Sequence, residues 1–411
     1  MTRKKRILFF AEPATLAHVA RPVVLAGALD AQSHEVALAT GPEYQWVVGD
    51  AGLKALPMHA IGSVAYLDAV AAGRPVFPLP VLEDYVDEDL RLMRAFEPDL
   101  VVGDFRLSLA VSARLAKLPY VAISNAYWSP FAPVRFEVPV HPLTRMLGPG
   151  LVDAAFRIAH PLVLALHSLP MHRLRRRHGM PSLGFDLRSV FTEADLTVFA
   201  DVPALVPTRD SGGIGRYAYI GPVTWSPDCP LPAALEEDGG GRPLVYLILG
   251  SSGDPGLLVE ISRALVALDC RVAIALGPGA ERLSFPAGVV VERFLPGAAL
   301  SRRASLVICN GGSPTTHQAL REGTPVLGIP QNLDQMLNMQ FIVATGAGLA
   351  LRADRITADR VAKLTRRLLE EPSFRHRAGE VAGEFAGYPS GERFAELVRR
   401  TLEASLQRAS R

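Results

Sequence analysis

Short apolar runs alternate with helical patterns along the whole of this chain, and that alternation admits few folds. In the first half the runs fall at residues 7–10, 35–39, 100–102, 120–123 and 196–199. In the second half they fall at 244–249, 272–275, 289–291, 306–309 and 326–329. The pattern predicts an α/β protein with parallel sheets. Each half carries about the strand complement of one doubly wound domain. The 411 residues suffice for two such domains with full cores. A stretch at 221–242 separates the halves. It holds Pro222, Pro227, Pro230 and Pro232, then Glu236-Glu237-Asp238 and three glycines. The expected division is therefore a domain at 1–222, a linker at 223–241, a second domain at 242–388 and a final helical segment at 389–411.

Composition removes several function classes. Hydrophobic residues make up 49% and charged residues 20%, the balance of a soluble globular enzyme. The net charge is +2 and no long basic block is present, so no nucleic-acid partner is expected. The basic start, Met1-Thr2-Arg3-Lys4-Lys5-Arg6, runs into a short apolar stretch that Glu12 interrupts, which reads as a first buried strand rather than a signal peptide. No segment is expected to supply the roughly 20 apolar residues of a membrane helix. A basic cluster at 173–178 follows an apolar stretch at 162–169. It reads as a solvated helix face, with peripheral membrane contact as the alternative. Cys229, Cys270 and Cys309 are too few and too scattered for a disulfide framework or a metal site. The expected location is a reducing cytoplasm, with no metal or other cofactor.

The stretch most suggestive of chemistry is Cys309-Asn310-Gly311-Gly312-Ser313-Pro314-Thr315-Thr316, followed by Pro330-Gln331-Asn332-Leu333-Asp334-Gln335. A strand ends in two glycines and a helix begins, with Ser313 as the expected N-cap and Pro314 at its first position. A helix N-terminus offers free N–H groups and a positive dipole end, which suits a diphosphate. The next strand delivers Asp334 and Gln335 to the same rim. A carboxylate beside an amide can grip vicinal sugar hydroxyls. The other reading of Gly311-Gly312 alone is an ordinary βαβ turn.

At the other end of the chain, His18 opens the helix after the first strand, at the carboxyl edge of the expected sheet. A histidine there suits a general base, although a packing histidine fits the residues as well. Asp104 ends a later strand at the same edge, as a partner for His18 or as a helix cap.

The segment 310–348 resembles the donor motif of glycosyltransferase family 1, the UDP-glycosyltransferase superfamily, and above all its bacterial natural-product and macrolide-type members. That family's pattern is His-Gly-Gly-x-x-Thr-Thr, a Gly-x-Pro stretch with a later proline, and Asp-Gln-x-x-Asn. Here Gly323-Thr324-Pro325, Pro330, Asp334-Gln335 and Asn338 stand at matching spacing, with Asn310 in place of the histidine. The resemblance implies the GT-B fold, two Rossmann-like domains facing across a cleft, with the last helix returning to the first domain. It implies a donor site at Gly250, Ser251, Ser252, Phe294, Asn310, Gly311, Gly312, Ser313, Thr315, Thr316, Asp334 and Gln335. Gly297 stands where the family has a base-reading glutamine. His18-Val19 with Pro22 is similar to the family's Gly-His-x-x-Pro, with Ala17 replacing the glycine. That implies His18 as the base that deprotonates the acceptor and Asp104 as the residue that orients it. Tyr66, Phe77, Tyr127, Trp128, Phe131 and Phe136 lie in the region where the family binds its acceptor; they line an apolar pocket or belong to the core.

The expected activity is an inverting, metal-independent transfer of a sugar from a UDP- or dTDP-sugar to a hydroxyl of a polyketide, phenolic or lipid-like acceptor. Two rivals share the fold: a nucleotide-sugar 2-epimerase and a non-catalytic partner protein. A dinucleotide oxidoreductase would need G-x-G-x-x-G after the first strand, and residues 11–20 contain no glycine.

Overall fold

Seven strands organise the first unit: Lys5–Ala11 (β1), His34–Thr40 (β2), Lys54–Pro57 (β3), Leu100–Asp104 (β4), Tyr120–Ser124 (β5), Leu196–Phe199 (β6) and Tyr217–Tyr219 (β7). In the computed structural model, which describes residues 3–209, 216–237, 239–277 and 279–409, they pair in parallel in the order β3-β2-β1-β4-β5-β6-β7. Ile7 to Ala11 and Leu100 to Val102 are fully buried, as the central strands of a sheet covered by helices on both faces should be. The order reverses between β1 and β4. At such a switch point the loops leaving the carboxyl ends part, which opens a crevice for chemistry. The helix Leu16–Gly27 leaves β1 here, burying Val19, Val23 and Ala26 at three- and four-residue spacing.

The second unit repeats the plan with Leu244–Ile248 (β8), Arg271–Ala275 (β9), Val290–Glu292 (β10), Leu306–Cys309 (β11), Val326–Gly328 (β12) and Gly348–Ala350 (β13). Their order is β10-β9-β8-β11-β12-β13, all parallel, with the reversal between β8 and β11. Val245, Leu247, Ile274, Leu306, Ile308 and Leu327 form the centre of its core.

The units comprise Met1–Pro133, Ile158–Val223 and Tyr388–Arg411, and Val134–Arg157 with Thr224–Gly387. Residues 134–157, expected in the first domain, group with the second unit. Val140 N–H donates to Gln331 O at 2.8 Å, Arg352 to Val138 O at 2.8 Å and Thr144 to Asp354 at 2.6 Å. The stretch expected as a linker also belongs to this unit from Thr224 on. The last helix, Ser390–Ala409, belongs to the first unit, where Phe394 is fully buried with its ring centroid 6.0 Å from that of Phe9. Met1 and Thr2 of the basic start, Asp238 of the acidic stretch and the terminal Ser410 and Arg411 lie outside the described residues.

One helix departs from expectation. Pro149–Arg177 runs 29 residues, passing through Pro161 and Pro170. By length and composition it is apolar enough to cross a membrane. A count of unbroken apolar residues stops at His160 and His167; the helix accommodates both.

Candidate active site

The first unit gathers polar side chains at the carboxyl ends of four adjacent strands, β1, β4, β5 and β6. His18, in the first turn of the helix after β1, sets Nδ1 2.8 Å from Oδ1 of Asp104, the last residue of β4. A carboxylate only accepts, so Nδ1–H is the donor and Nε2 is left with its lone pair. The His18 side chain is one-fifth exposed and Asp104 is buried. This is the arrangement a general base needs: one nitrogen held, the other open.

Sequence reasoning missed the group behind this pair. Arg21, one turn along from His18, clamps Asp104 with two parallel bonds, Nε to Oδ2 at 2.9 Å and Nη2 to Oδ1 at 2.8 Å. Its Nη1 donates to Asn125 Oδ1 at 2.6 Å. Asn125 follows β5 and donates in turn to Asp201, which follows β6, at 3.1 Å. Asp201 also accepts from Ala126 N–H at 2.6 Å. A fork-to-fork guanidinium–carboxylate pair fixes both planes. Here it fixes the oxygen that receives His18. The i, i+3 spacing of His18 and Arg21 was the available signal, since that spacing puts both on one helix face.

Aromatic rings wall the same edge. Phe105, directly after Asp104, has φ 60°, a left-handed conformation unusual for a bulky residue. Its ring stacks on His18 with centroids 4.7 Å apart and planes 14° apart. Tyr66, Phe77 and Phe191 surround Phe105 at centroid distances of 5.9, 5.5 and 5.5 Å, and Trp128 meets Phe191 edge-on at 4.7 Å. Three of the six expected aromatics, Tyr66, Phe77 and Trp128, therefore join a cluster that touches His18. Tyr127 backs it as a fully buried ring 6.4 Å from that of Trp128, while Phe131 packs on Tyr217 and Phe136 lies in the second unit.

The loop that carries Phe105 is tied down by charge. Arg106 is fully buried between Glu12 (3.0 Å) and Asp89 (2.9 Å), with its guanidinium 3.5 Å from the centroid of the Tyr85 ring. Tyr85 O–H donates to Glu12, and Ser108 and Ser112 donate to Asp89. Burial pushes the carboxyls of Glu12 and Asp89 up, against the pull of Arg106.

In the second unit the glycine turn after β11 leads into the helix Ser313–Arg321, whose N-cap is Gly312, not Ser313. No side chain caps this helix; Asn310 instead closes an Asx turn just before it, its Oδ1 accepting from Gly312 N–H at 3.0 Å. An α-helix leaves its first N–H groups without intrahelical partners. Here Pro314 has no N–H to offer, and Thr316 N–H reaches Gly312 O at 3.2 Å. Asn310 Nδ2 and Gln335 Nε2 both donate to Ser252 Oγ, at 3.2 and 3.1 Å, drawing the loop after β8 onto the cradle.

Two expected ligand residues are used otherwise. Thr316 is fully buried; its hydroxyl donates to Gly312 O and accepts from Asn338 at 2.9 Å. Gln335 is also buried; its Oε1 accepts from Gln331 and Asn332 N–H groups in a capping box that starts the helix Leu333–Thr345. Both shape the cradle rather than face outward. Asp334, Thr315 and Phe294 are partly or largely exposed, and Gly250 has φ 62° beside Asn310. The side chain of Gln318 occupies the space beside Gly297 that a Cβ would fill. Gly311 has φ 84° and its missing Cβ would stand 2.7 Å from Met339. Gly311→Ala is therefore expected to cost about 1–3 kcal/mol in strain and to weaken nucleotide binding. Thermal melting and titration calorimetry with a nucleoside diphosphate would read both effects.

Among the described residues no three His, Cys, Asp or Glu side chains gather as a metal-ligand group. Cys309 is buried behind the cradle, where burial pushes its thiol up to about 12.

Residues 260–403 match the domain family described as erythromycin biosynthesis protein CIII-like, C-terminal domain. The chain is 43% identical over 393 residues to a PGL/p-HBAD biosynthesis glycosyltransferase of Mycobacterium tuberculosis, covering 95% of this chain and 91% of that one. It is 42% identical over 391 residues to a PGL/p-HBAD biosynthesis rhamnosyltransferase of Mycobacterium bovis, covering 94% and 86%. Among solved structures, the spinosyn rhamnosyltransferase SpnG complexed with thymidine diphosphate is similar with a TM-score of 0.69 at 24% identity, over 96% of this chain and 99% of that one.

Proposed function

The chain belongs to the family of these glycosyltransferases, is itself a glycosyltransferase of the natural-product type with the GT-B fold, and we propose that it moves a sugar from a nucleoside diphosphate to a hydroxyl of an apolar small molecule, inverting the anomeric carbon. The observation that carries this reading is the histidine held by Asp104 at 2.8 Å with its second nitrogen open. Nε2 of His18 takes the acceptor proton. The acceptor oxygen attacks the anomeric carbon as the bond to the diphosphate breaks, so one displacement inverts the centre. Asp104 stabilises the imidazolium as it forms. The departing diphosphate is met by the N–H groups and dipole of the helix Ser313–Arg321. In this reading no metal is required, and transfer is expected to be unchanged by EDTA. Asp334 holds the sugar hydroxyls. The part-exposed rings of Phe105, Tyr66 and Trp128, backed by the buried Phe77, receive the acceptor, which supports a phenolic, polyketide or lipid-like compound.

The thymidine diphosphate in one structural neighbour and the rhamnosyl transfer in one relative's name support a dTDP-deoxyhexose as the first donor to test, with UDP-sugars next. The three free cysteines support a reducing, cytoplasmic setting. Family membership favours transfer over the epimerase, and the intact His18–Asp104 pair favours it over the non-catalytic partner.

Arg21 is a positioning residue in this scheme. Arg21→Ala is expected to lower kcat about 10- to 100-fold, the rate equivalent of about 1.5–3 kcal/mol for lost charged hydrogen bonds, with the donor KM little changed. Partial recovery by added guanidine, and less recovery in Arg21→Lys, would mark the fork itself rather than folding. Equal losses in kcat and in melting temperature across all variants would reduce Arg21 to a core residue.

A further inference from the structure

We propose that the helix Pro149–Arg177, along residues 158–177, lays its outer side on an anionic membrane surface. The helix has two unlike sides. Leu164, Met171 and Leu174 are buried against the first unit, with Met171 and Leu174 in a cluster that includes Tyr85 and Phe77. On the opposite side, at four-residue spacing, Ile158 is 85% exposed, Leu162 65% and Leu166 49%. Arg173 and Arg176 continue that side as exposed residues. Arg177 beside them is paired with Glu83.

The packed side decides how the helix meets lipid. A membrane span would strip Met171 and Leu174 from their cluster, so the helix lies along the surface instead. Three large apolar side chains then enter the boundary between head groups and acyl chains, and two arginines meet the head groups. Charge also argues against a second copy as the cover. The one acidic residue of this helix, Asp153, already accepts from Val138 N–H and lies off the exposed side. An antiparallel pairing centred on Leu162 would lay Arg173 over Leu151, and a parallel pairing would oppose arginine to arginine. An anionic lipid surface satisfies both halves of the side at once.

The inference is independent of the sugar and the acceptor, and its test uses the full chain. Vesicles of phosphatidylcholine, with and without phosphatidylglycerol, would be sedimented with wild type, Ile158→Glu/Leu162→Glu and Arg173→Gln/Arg176→Gln. Wild type is expected to follow the phosphatidylglycerol vesicles and to be released by salt. The arginine variant is expected to bind about 20- to 30-fold more weakly, and the glutamate variant to remain in the supernatant. Both should keep wild-type melting temperature and wild-type turnover of a soluble acceptor. Failure of wild type to sediment, or equal sedimentation of all three proteins, would overturn the proposal. So would a wild-type dimer in light scattering that Ile158→Glu/Leu162→Glu converts to monomer.

Discussion

Replacing His18 with alanine is expected to lower kcat by about 10²–10⁴-fold, the usual contribution of a positioned general base. The affinity for the nucleoside diphosphate should stay within error of wild type. The reason lies in where the side chain stands. His18 is on the helix after β1, held by Asp104 and stacked on Phe105. The cradle proposed for the diphosphate is built by other loops, after β8 and β11. His18→Ala removes the proton acceptor and leaves those loops untouched. Single-turnover rates at saturating donor, with calorimetry for the nucleotide, separate the two quantities. Turnover close to wild type would remove His18 from the chemistry. A loss confined to nucleotide affinity would move it from base to binding.

Arg106→Met should give the largest loss of stability. The guanidinium lies between two carboxylates that are themselves fully buried. A methionine of similar length fills the space and leaves Glu12 and Asp89 facing each other without a cation. Removing one partner of a buried ionic group costs about 3–5 kcal/mol, and a domain of this size loses about 2–4 °C per kcal/mol. A fall of about 10 °C or more in melting temperature is expected. Adding Glu12→Gln and Asp89→Asn to Arg106→Met should recover part of it, because the cost resides in unpaired charge rather than in lost volume. Arg399→Ala, which breaks an exposed cluster with Glu396 and Glu403, should leave the melting temperature unchanged. Equal effects at Arg106 and Arg399 would contradict this account of the buried triad.

The central strands were legible because burial on both faces forces continuous apolar runs, as in β1, β4, β8 and β11. The edge strands β3, β7 and β13 were not. They are three or four residues long, they include Pro57 and Gly348, and only one side is paired. The fate of residues 134–157 was hidden for another reason. Their place depends on bonds to residues about two hundred positions away, such as Thr144 to Asp354, which no local pattern announces. In the site, residues next to strand ends could be read: His18, Asp104 and the glycine turn. Their roles within the cradle could not. Thr316 and Gln335 look like ligands in sequence, yet their polar atoms are taken up inside the protein, by Gly312 O and Asn338 for Thr316 and by Ser252 and the Gln331 and Asn332 N–H groups for Gln335. Arg21 was passed over inside an apolar helix, although a buried arginine needs a carboxylate and Asp104 supplies it.

Transfer by inversion at a base held in the first unit is the central claim, and the product's stereochemistry tests it most directly. A dTDP- or UDP-sugar of known anomeric configuration would be incubated with a phenolic acceptor in the presence of EDTA, and the coupling at the new anomeric centre read by NMR. The account predicts a glycoside of opposite configuration, formed at the same rate with and without EDTA. A product of retained configuration, or transfer abolished by EDTA, would contradict it.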